Sequence, residues 1–183
     1  DTYDTRSLAE SLSDSNYLND KSWAKVLYKK SEELSENAND YKDLAESVGN
    51  KKYLNDHKYA KEMYEKSLEL AEEDFYCGDY ISLAESIANE ESLGDKSWAK
   101  EIYEKAESLA ESYSDYQSLS ESLAKKGARV ISCDTSNALI KVAKKRASDQ
   151  NLNISYKVGS IDFFKKKSIK FDIIISLEVI EHV

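Results

Sequence analysis

Apolar positions follow a helical rhythm over the first two thirds of the chain and gather into short, dense runs in the last third. Leu83, Ser86 and Ile87 stand at i, i+3 and i+4, which predicts a short helix with one apolar or small face. A longer stripe follows in Trp98, Ala99, Ile102, Tyr103, Ala106 and Leu109, with Lys100, Glu101, Glu104 and Lys105 on the opposite side. The same pattern recurs. Leu8-Ala-Glu-Ser11 returns as Leu44-Ala-Glu-Ser47, Leu83-Ala-Glu-Ser86 and Leu119-Ser-Glu-Ser122, at intervals of 36, 39 and 36 residues. Asp20-Lys-Ser-Trp-Ala-Lys25 returns as Asp56-His-Lys-Tyr-Ala-Lys61 and Asp95-Lys-Ser-Trp-Ala-Lys100, and Tyr28, Tyr64 and Tyr103 keep the register. Each unit therefore predicts a short helix, a tight connection and a longer helix. Asp20, Asp56 and Asp95 are its expected N-caps, because a carboxylate accepts the free N–H groups of a first turn. A single helical pair cannot bury such stripes alone, so the period predicts a stacked helical solenoid. On this reading Trp23, Trp98 and the tyrosines are core, and His57 is a surface residue.

After Gly127 the period changes. Arg129-Val-Ile-Ser-Cys133 reads as a β-branched strand ending at Asp134. Thr135 or Ser136 can cap the helix that follows, about Asn137–Ser148, with Leu139, Ile140, Val142, Ala143 and Ala147 available for its apolar face. Ile154–Val158 predicts a second strand, Gly159–Asp162 a turn, and Phe163-Phe164 a short helix or loop. Phe171-Asp-Ile-Ile-Ile-Ser-Leu177 is nearly all apolar, as a strand buried on both faces would be. Strand–helix–strand order predicts a parallel sheet. The helix Ser118–Gly127 belongs to both patterns: it is the fourth copy of the repeated helix and the lead into the first strand.

Charge sharpens this division. The chain has 183 residues and a net charge of −9, but residues 1–126 carry −13 and residues 127–183 carry +4. Twelve of the thirteen tyrosines precede Gly127, so the two parts look like segments of different origin. An acidic first part speaks against nucleic acid as a partner, since phosphate binding needs a concentrated basic surface. Cys77 and Cys133 stand 56 residues apart without a neighbouring Cys or His motif, and read as free thiols of a reducing compartment. No apolar run reaches the ~20 residues of a membrane span, and no signal peptide opens the chain. The expectation is a soluble, cytoplasmic protein. The first residue is Asp1 rather than Met, as in a fragment or a processed chain. There is no Pro, and the closest pair of the five Gly lies 16 residues apart, so no glycine-rich phosphate loop is present.

Residues 4–124 resemble tetratricopeptide repeats, with Sel1-type repeats as the alternative. Ala99, Tyr103 and Ala106 match that family's small–aromatic–small spacing, as do Ala24, Tyr28 and Ser31, and Gly94 falls at its turn glycine. The unit is two residues longer than the family's, lacks its closing Pro, and has no Trp in its first helix. The resemblance implies a scaffold with a protein or peptide partner.

The last part resembles the class I S-adenosylmethionine-dependent methyltransferases, and most closely those of ubiquinone biosynthesis. The resemblance runs from Leu119-Ser-Glu-Ser-Leu-Ala-Lys-Lys-Gly-Ala-Arg-Val130 through Cys133-Asp-Thr-Ser136 and Leu152-Asn-Ile-Ser-Tyr156 to Leu177-Glu-Val-Ile-Glu-His-Val183. It implies S-adenosylmethionine as cofactor. Asp134 would accept hydrogen bonds from the ribose hydroxyls, Ile161 and Asp162 would lie at the adenine, and Leu177 would line the pocket. Glu178, Glu181 and His182 would hold a divalent cation such as Mg²⁺; read without the family, they are polar strand-end residues facing solvent. The methyl acceptor implied is a polyprenyl catechol-type quinone precursor.

The family's first strand and its glycine-rich loop should precede Leu119. Glu111-Ser-Tyr-Ser-Asp-Tyr-Gln117 stands there instead, in the pattern of the repeats. The fold class expected is thus a mainly α helical-repeat solenoid (1–117) followed by an incomplete Rossmann-like α/β fragment (118–183) with family strands 2 to 4. Such a fragment is not expected to methylate by itself. Ile173–Ser176 is expected to fill the vacant place beside Arg129–Cys133. The alternative function is an interaction scaffold of tetratricopeptide-like repeats with a non-functional tail.

Overall fold

The computed structural model describes residues 1–71, 75–110, 113–160, 162–165, 169–172 and 174. Its compact units are Asp1–Glu104 and Lys105–Val183.

In the first unit, helices alternate short and long. They are α1 (Thr2–Ser13), α2 (Lys21–Glu33), α3 (Ala38–Gly49), α4 (His57–Ala71), α5 (Cys77–Ile87) and α6, which starts at Lys96 and runs on to Ser108. Helix α1 packs on α2 and α3 on α4, while α3 also touches α1, α2 and α5.

The connection inside each pair is built the same way three times. Asp20, Asp56 and Asp95 accept the backbone N–H of Trp23 (2.9 Å), Tyr59 (3.1 Å) and Trp98 (2.9 Å), so all three expected caps form. The residue before each cap has a positive φ: Asn19 (51°), Asn55 (56°) and Gly94 (69°). Asn and Gly are the residues that adopt the left-handed region at least cost, so the Asn-Asp and Gly-Asp pairs define the turn. Each cap's own N–H closes the turn onto the preceding helix, at Leu12, Val48 and Ile87.

Neighbouring pairs are joined by repeated polar contacts. Tyr28 Oη pairs with Ser47 Oγ at 2.9 Å, and Tyr64 Oη with Ser86 Oγ at 2.6 Å, all four residues being buried. Burial pushes both phenols up to about 12, although the hydroxyl hydrogen bonds oppose the shift. Lys52 Nζ meets the buried Asp14 carboxylate at 2.9 Å. Burial alone would raise Glu32, but hydrogen bonds from Lys29, Lys66 and Tyr59 more than offset it and hold the carboxyl at about 2. Its partner Tyr59 is pushed up by burial and by the Glu32 charge.

Most of the expected stripe is buried: Leu83 and Ile87 on α5, and Ala99, Ile102, Tyr103 and Ala106 on α6. His57 is exposed at the start of α4. Trp23 corrects the sequence reading. It is 54% exposed, whereas Trp98 at the equivalent position packs edge-on against Tyr64, with ring centroids 6.2 Å apart. What covers Trp98 belongs to the preceding pair, and no pair precedes Trp23 among the described residues. Leu109 is also exposed, one residue beyond the end of α6.

The second unit holds α7 (Tyr113–Lys125), β1 (Val130–Asp134), α8 (Asn137–Asp149), β2 (Ile154–Val158) and α9 (Asp162–Lys165). Helix α7 ends in a Schellman motif at Gly127, φ 87°: Ala128 N–H reaches Leu123 O and Gly127 N–H reaches Ala124 O, both at 3.0 Å. Asn151, φ 56°, ends α8 in the same way through Leu152 N–H and Ala147 O. Strands β1 and β2 pair in parallel with Val130 opposite Ile154 and Asp134 opposite Val158. On α8 the residues at i, i+3 and i+7, namely Ile140, Ala143 and Ala147, are buried, while Leu139 and Val142 are exposed. Phe171, Asp172 and Ile174 are in no strand. The other residues of the expected pairing segment Ile173–Ser176 lie outside the described residues.

Candidate functional site

Two parallel strands that end side by side place their last residues at one edge, where open α/β sheets bind ligands. Asp134 closes β1 there and Val158 closes β2. The Asp134 backbone carbonyl accepts the N–H of Gly159 at 2.9 Å, which ties the loop after β2 to the end of β1. Its side-chain Oδ1 accepts the N–H of Ser136 at 2.6 Å. Ser136 Oγ in turn caps α8 at the N–H of Leu139 (3.3 Å). Asp134 is half-buried, and among the described residues its Oδ2 has no hydrogen-bond partner. The carboxylate is thus held through one oxygen and offers the other as an acceptor.

Gly159, at φ 144°, takes a backbone conformation closed to most side chains, and a Cβ there would meet no atom within 4 Å. The loop leads to Ser160, whose hydroxyl lies 3.3 Å from Asp162 Oδ2. Asp162 is exposed in the first turn of α9, with its other oxygen 3.0 Å from Lys165 Nζ. Both of its oxygens are engaged by neighbours in its own segment. Cys133, beside Asp134, is raised by partial burial and then by the Asp134 charge, which leaves it a poor nucleophile.

The edge therefore brings Asp134 and the Gly159 loop together. Ile161, Leu177, Glu178, Glu181 and His182 lie outside the described residues. Among the described residues, no group of three or more His, Cys, Asp or Glu is placed to hold a metal ion, and no helix is long and apolar enough to cross a membrane.

Glu121 was not marked by the sequence. Almost fully buried on α7, it receives Arg146 Nε (2.9 Å) and Gln150 Nε2 (3.0 Å) from α8 and Gln117 Nε2 (2.9 Å) from its own helix. It fixes α8, the helix that starts three residues after Asp134, against α7. The only sequence signal is a pair of amphipathic helices flanking one strand.

Residues 118–183 match the family model of a methyltransferase domain. Over 65 residues the chain is 49% identical to a ubiquinone biosynthesis O-methyltransferase of Coxiella burnetii, covering 36% of this chain and 28% of the relative. The enzyme of the same name from Pelagibacter ubique is 45% identical over 65 residues, 36% of this chain and 27% of the relative. That of Bartonella tribocorum is 40% identical over the same length, 26% of the relative. The chain thus spans little more than a quarter of the length of the curated relatives it matches. No solved structure matches it.

Proposed function

We propose that residues 118–183 are the part of a ubiquinone-type O-methyltransferase that grips the nucleoside half of S-adenosylmethionine, joined to a tetratricopeptide-like solenoid over residues 1–117. Asp134 carries the reading. Its free oxygen at the end of a parallel strand suits the ribose hydroxyls, both of which are donors. The match to methyltransferase domains over these residues supports it. When bound, S-adenosylmethionine supplies the methyl group.

The roles we assign to this chain's residues are those that the family likeness implies. Asp134 accepts from the ribose, and Ser136 keeps its carboxylate oriented. The Gly159 loop leaves room beside it, and Ile161 and Asp162 border the adenine. By the same likeness Leu177 would line the pocket, and Glu178, Glu181 and His182 would hold a cation, for which carboxylates and an imidazole are suitable ligands. The acceptor is a polyprenyl catechol-type quinone precursor. The 183-residue chain does not methylate by itself, because the match to the family begins at 118 and the segment ahead of it holds the repeat pattern where a glycine-rich loop would hold the methionine end.

A chimera tests the assignment. Residues 119–183 replace the matching 65 residues of the Coxiella relative, and cofactor binding is measured by calorimetry. Retained binding that Asp134→Ala weakens at least about tenfold, the loss of a charged hydrogen-bond acceptor, supports the reading. A folded chimera that binds S-adenosylmethionine equally well with Ala at 134 contradicts it.

The second reading is an interaction scaffold. The observation favouring it is the threefold recurrence of the Asp-capped turn and the twofold recurrence of the contact between pairs in residues 1–104.

A further inference from the structure

Equivalent positions of the first unit differ in burial, and the difference has one direction. Leu44 and Leu83 are fully buried, yet Leu8, their counterpart on α1, is 51% exposed. Ser47 and Ser86 are buried and receive the hydroxyls of Tyr28 and Tyr64 from the preceding pair. Ser11, the counterpart, is exposed and turns its hydroxyl back to Ser7 O at 3.1 Å. Tyr59 is buried under Lys29 and Glu32, and Trp98 meets Lys61 and Tyr64, in each case from the preceding pair. Trp23, the counterpart, is bare. Asp56 takes Lys25 Nζ at 3.0 Å, while Asp20 is exposed and uses Oδ1 only to cap its own helix.

The contacts these counterparts make within the chain define what fits. Both covering helices carry Lys and Tyr at i and i+3, Lys25 with Tyr28 and Lys61 with Tyr64. The Tyr hydroxyl reaches the Ser of the next short helix. The Lys reaches the next pair's cap carboxylate in one case and its aromatic ring in the other. We propose that the open face of α1 and α2, formed by Leu8, Ser11, Asp20 and Trp23, is a docking surface for one more helix pair of this same repeat. Its long helix presents a Lys and a Tyr one turn apart to Asp20 or Trp23 and to Ser11. The surface continues the interface already present twice inside the first unit. Burying an aromatic ring and a leucine there removes a few hundred Å² of apolar surface from water. The inference rests on the reading of residues 1–104 as stacked equivalent units.

The test is a tandem duplication. Residues 1–36 are repeated ahead of Asp1 of the full chain, which preserves the natural 36-residue interval. Trp98→Phe throughout, and Trp23→Phe in the added copy only, leave the original Trp23 as the sole tryptophan. The expected result is a blue-shifted Trp23 emission, several-fold less acrylamide quenching than in the parent, and one cooperative melt at a higher midpoint. Leu8→Lys with Ser11→Glu in the receiving unit should restore the parental quenching without unfolding the chain. Unchanged Trp23 quenching, with the added helices melting separately, overturns the proposal. So does a parent chain that protects Trp23 by self-association at micromolar concentration, because a second copy is then the occupant. Tyr64→Phe in the parent tests the stacking of the existing units independently.

Discussion

Tyr64→Phe removes one oxygen from the interface between the second and third helix pairs. The hydroxyl it deletes lies 2.6 Å from Ser86 Oγ, and Tyr64 and Ser86 are 0% and 4% exposed. A buried neutral hydrogen bond contributes a net of about 1 kcal/mol, and a buried group left without its partner costs about 1–3 kcal/mol. The expected loss for Tyr64→Phe is therefore about 1–3 kcal/mol. In a unit of this size each kcal/mol lowers Tm by roughly 4–8 °C. Ser86→Ala should cost a similar amount, because it leaves the buried Tyr64 hydroxyl without its partner. The double variant should show a coupling of about 0.5–1.5 kcal/mol, as contacting residues do. Urea unfolding followed by the fluorescence of Trp98, which touches the Tyr64 ring, measures all four corners. A coupling indistinguishable from zero would refute the interface.

Three further outcomes follow from the same contacts. The Tyr28 and Tyr64 phenols stand at about 12 in the fold against an ordinary 10. Their contribution is complete below pH 10 and is lost as pH rises toward 12, on the order of 2 kcal/mol each by linkage, and Tyr28→Phe with Tyr64→Phe should flatten that alkaline limb. Glu32 stands at about 2 against an ordinary 4.5. Its contribution is present above pH 4.5 and lost as pH falls toward 2, so the stability gap between the wild type and Glu32→Gln, on the order of 2 kcal/mol near neutrality, should close over that range in denaturant titrations. Glu121→Ala should cost only about 1–2 kcal/mol, because the released Arg146 is half-exposed and can turn to water, and hydrogen exchange should quicken in α8 more than in β1.

The regular features of the fold were legible where local chemistry decides them. Asp20, Asp56 and Asp95 cap their helices because a carboxylate in that place has free N–H groups to accept. Ser136 begins α8 and Gly127 ends α7 for equally local reasons. Trp23 was misread because burial of a stripe residue depends on the neighbouring pair, which no local pattern encodes. On α8, alternation alone could not rank Leu139 and Val142 below Ile140 and Ala143, since the face chosen depends on what the sheet presents. Glu121 was invisible because a glutamate on an amphipathic helix reads as solvent-facing until Arg146 and Gln150 are brought to it. For the candidate site, the sequence identified Asp134 through a family likeness. The geometry added what the likeness lacked: one oxygen held by Ser136 and one left open.

On our proposal, the chain carries the nucleoside-binding part of a methyltransferase without the loop that holds the methionine end. Calorimetric titration of S-adenosylmethionine into the 183-residue chain tests it most directly. The expected result is no saturable heat at micromolar concentrations and no transfer of methyl to a catechol acceptor. A micromolar Kd would contradict it.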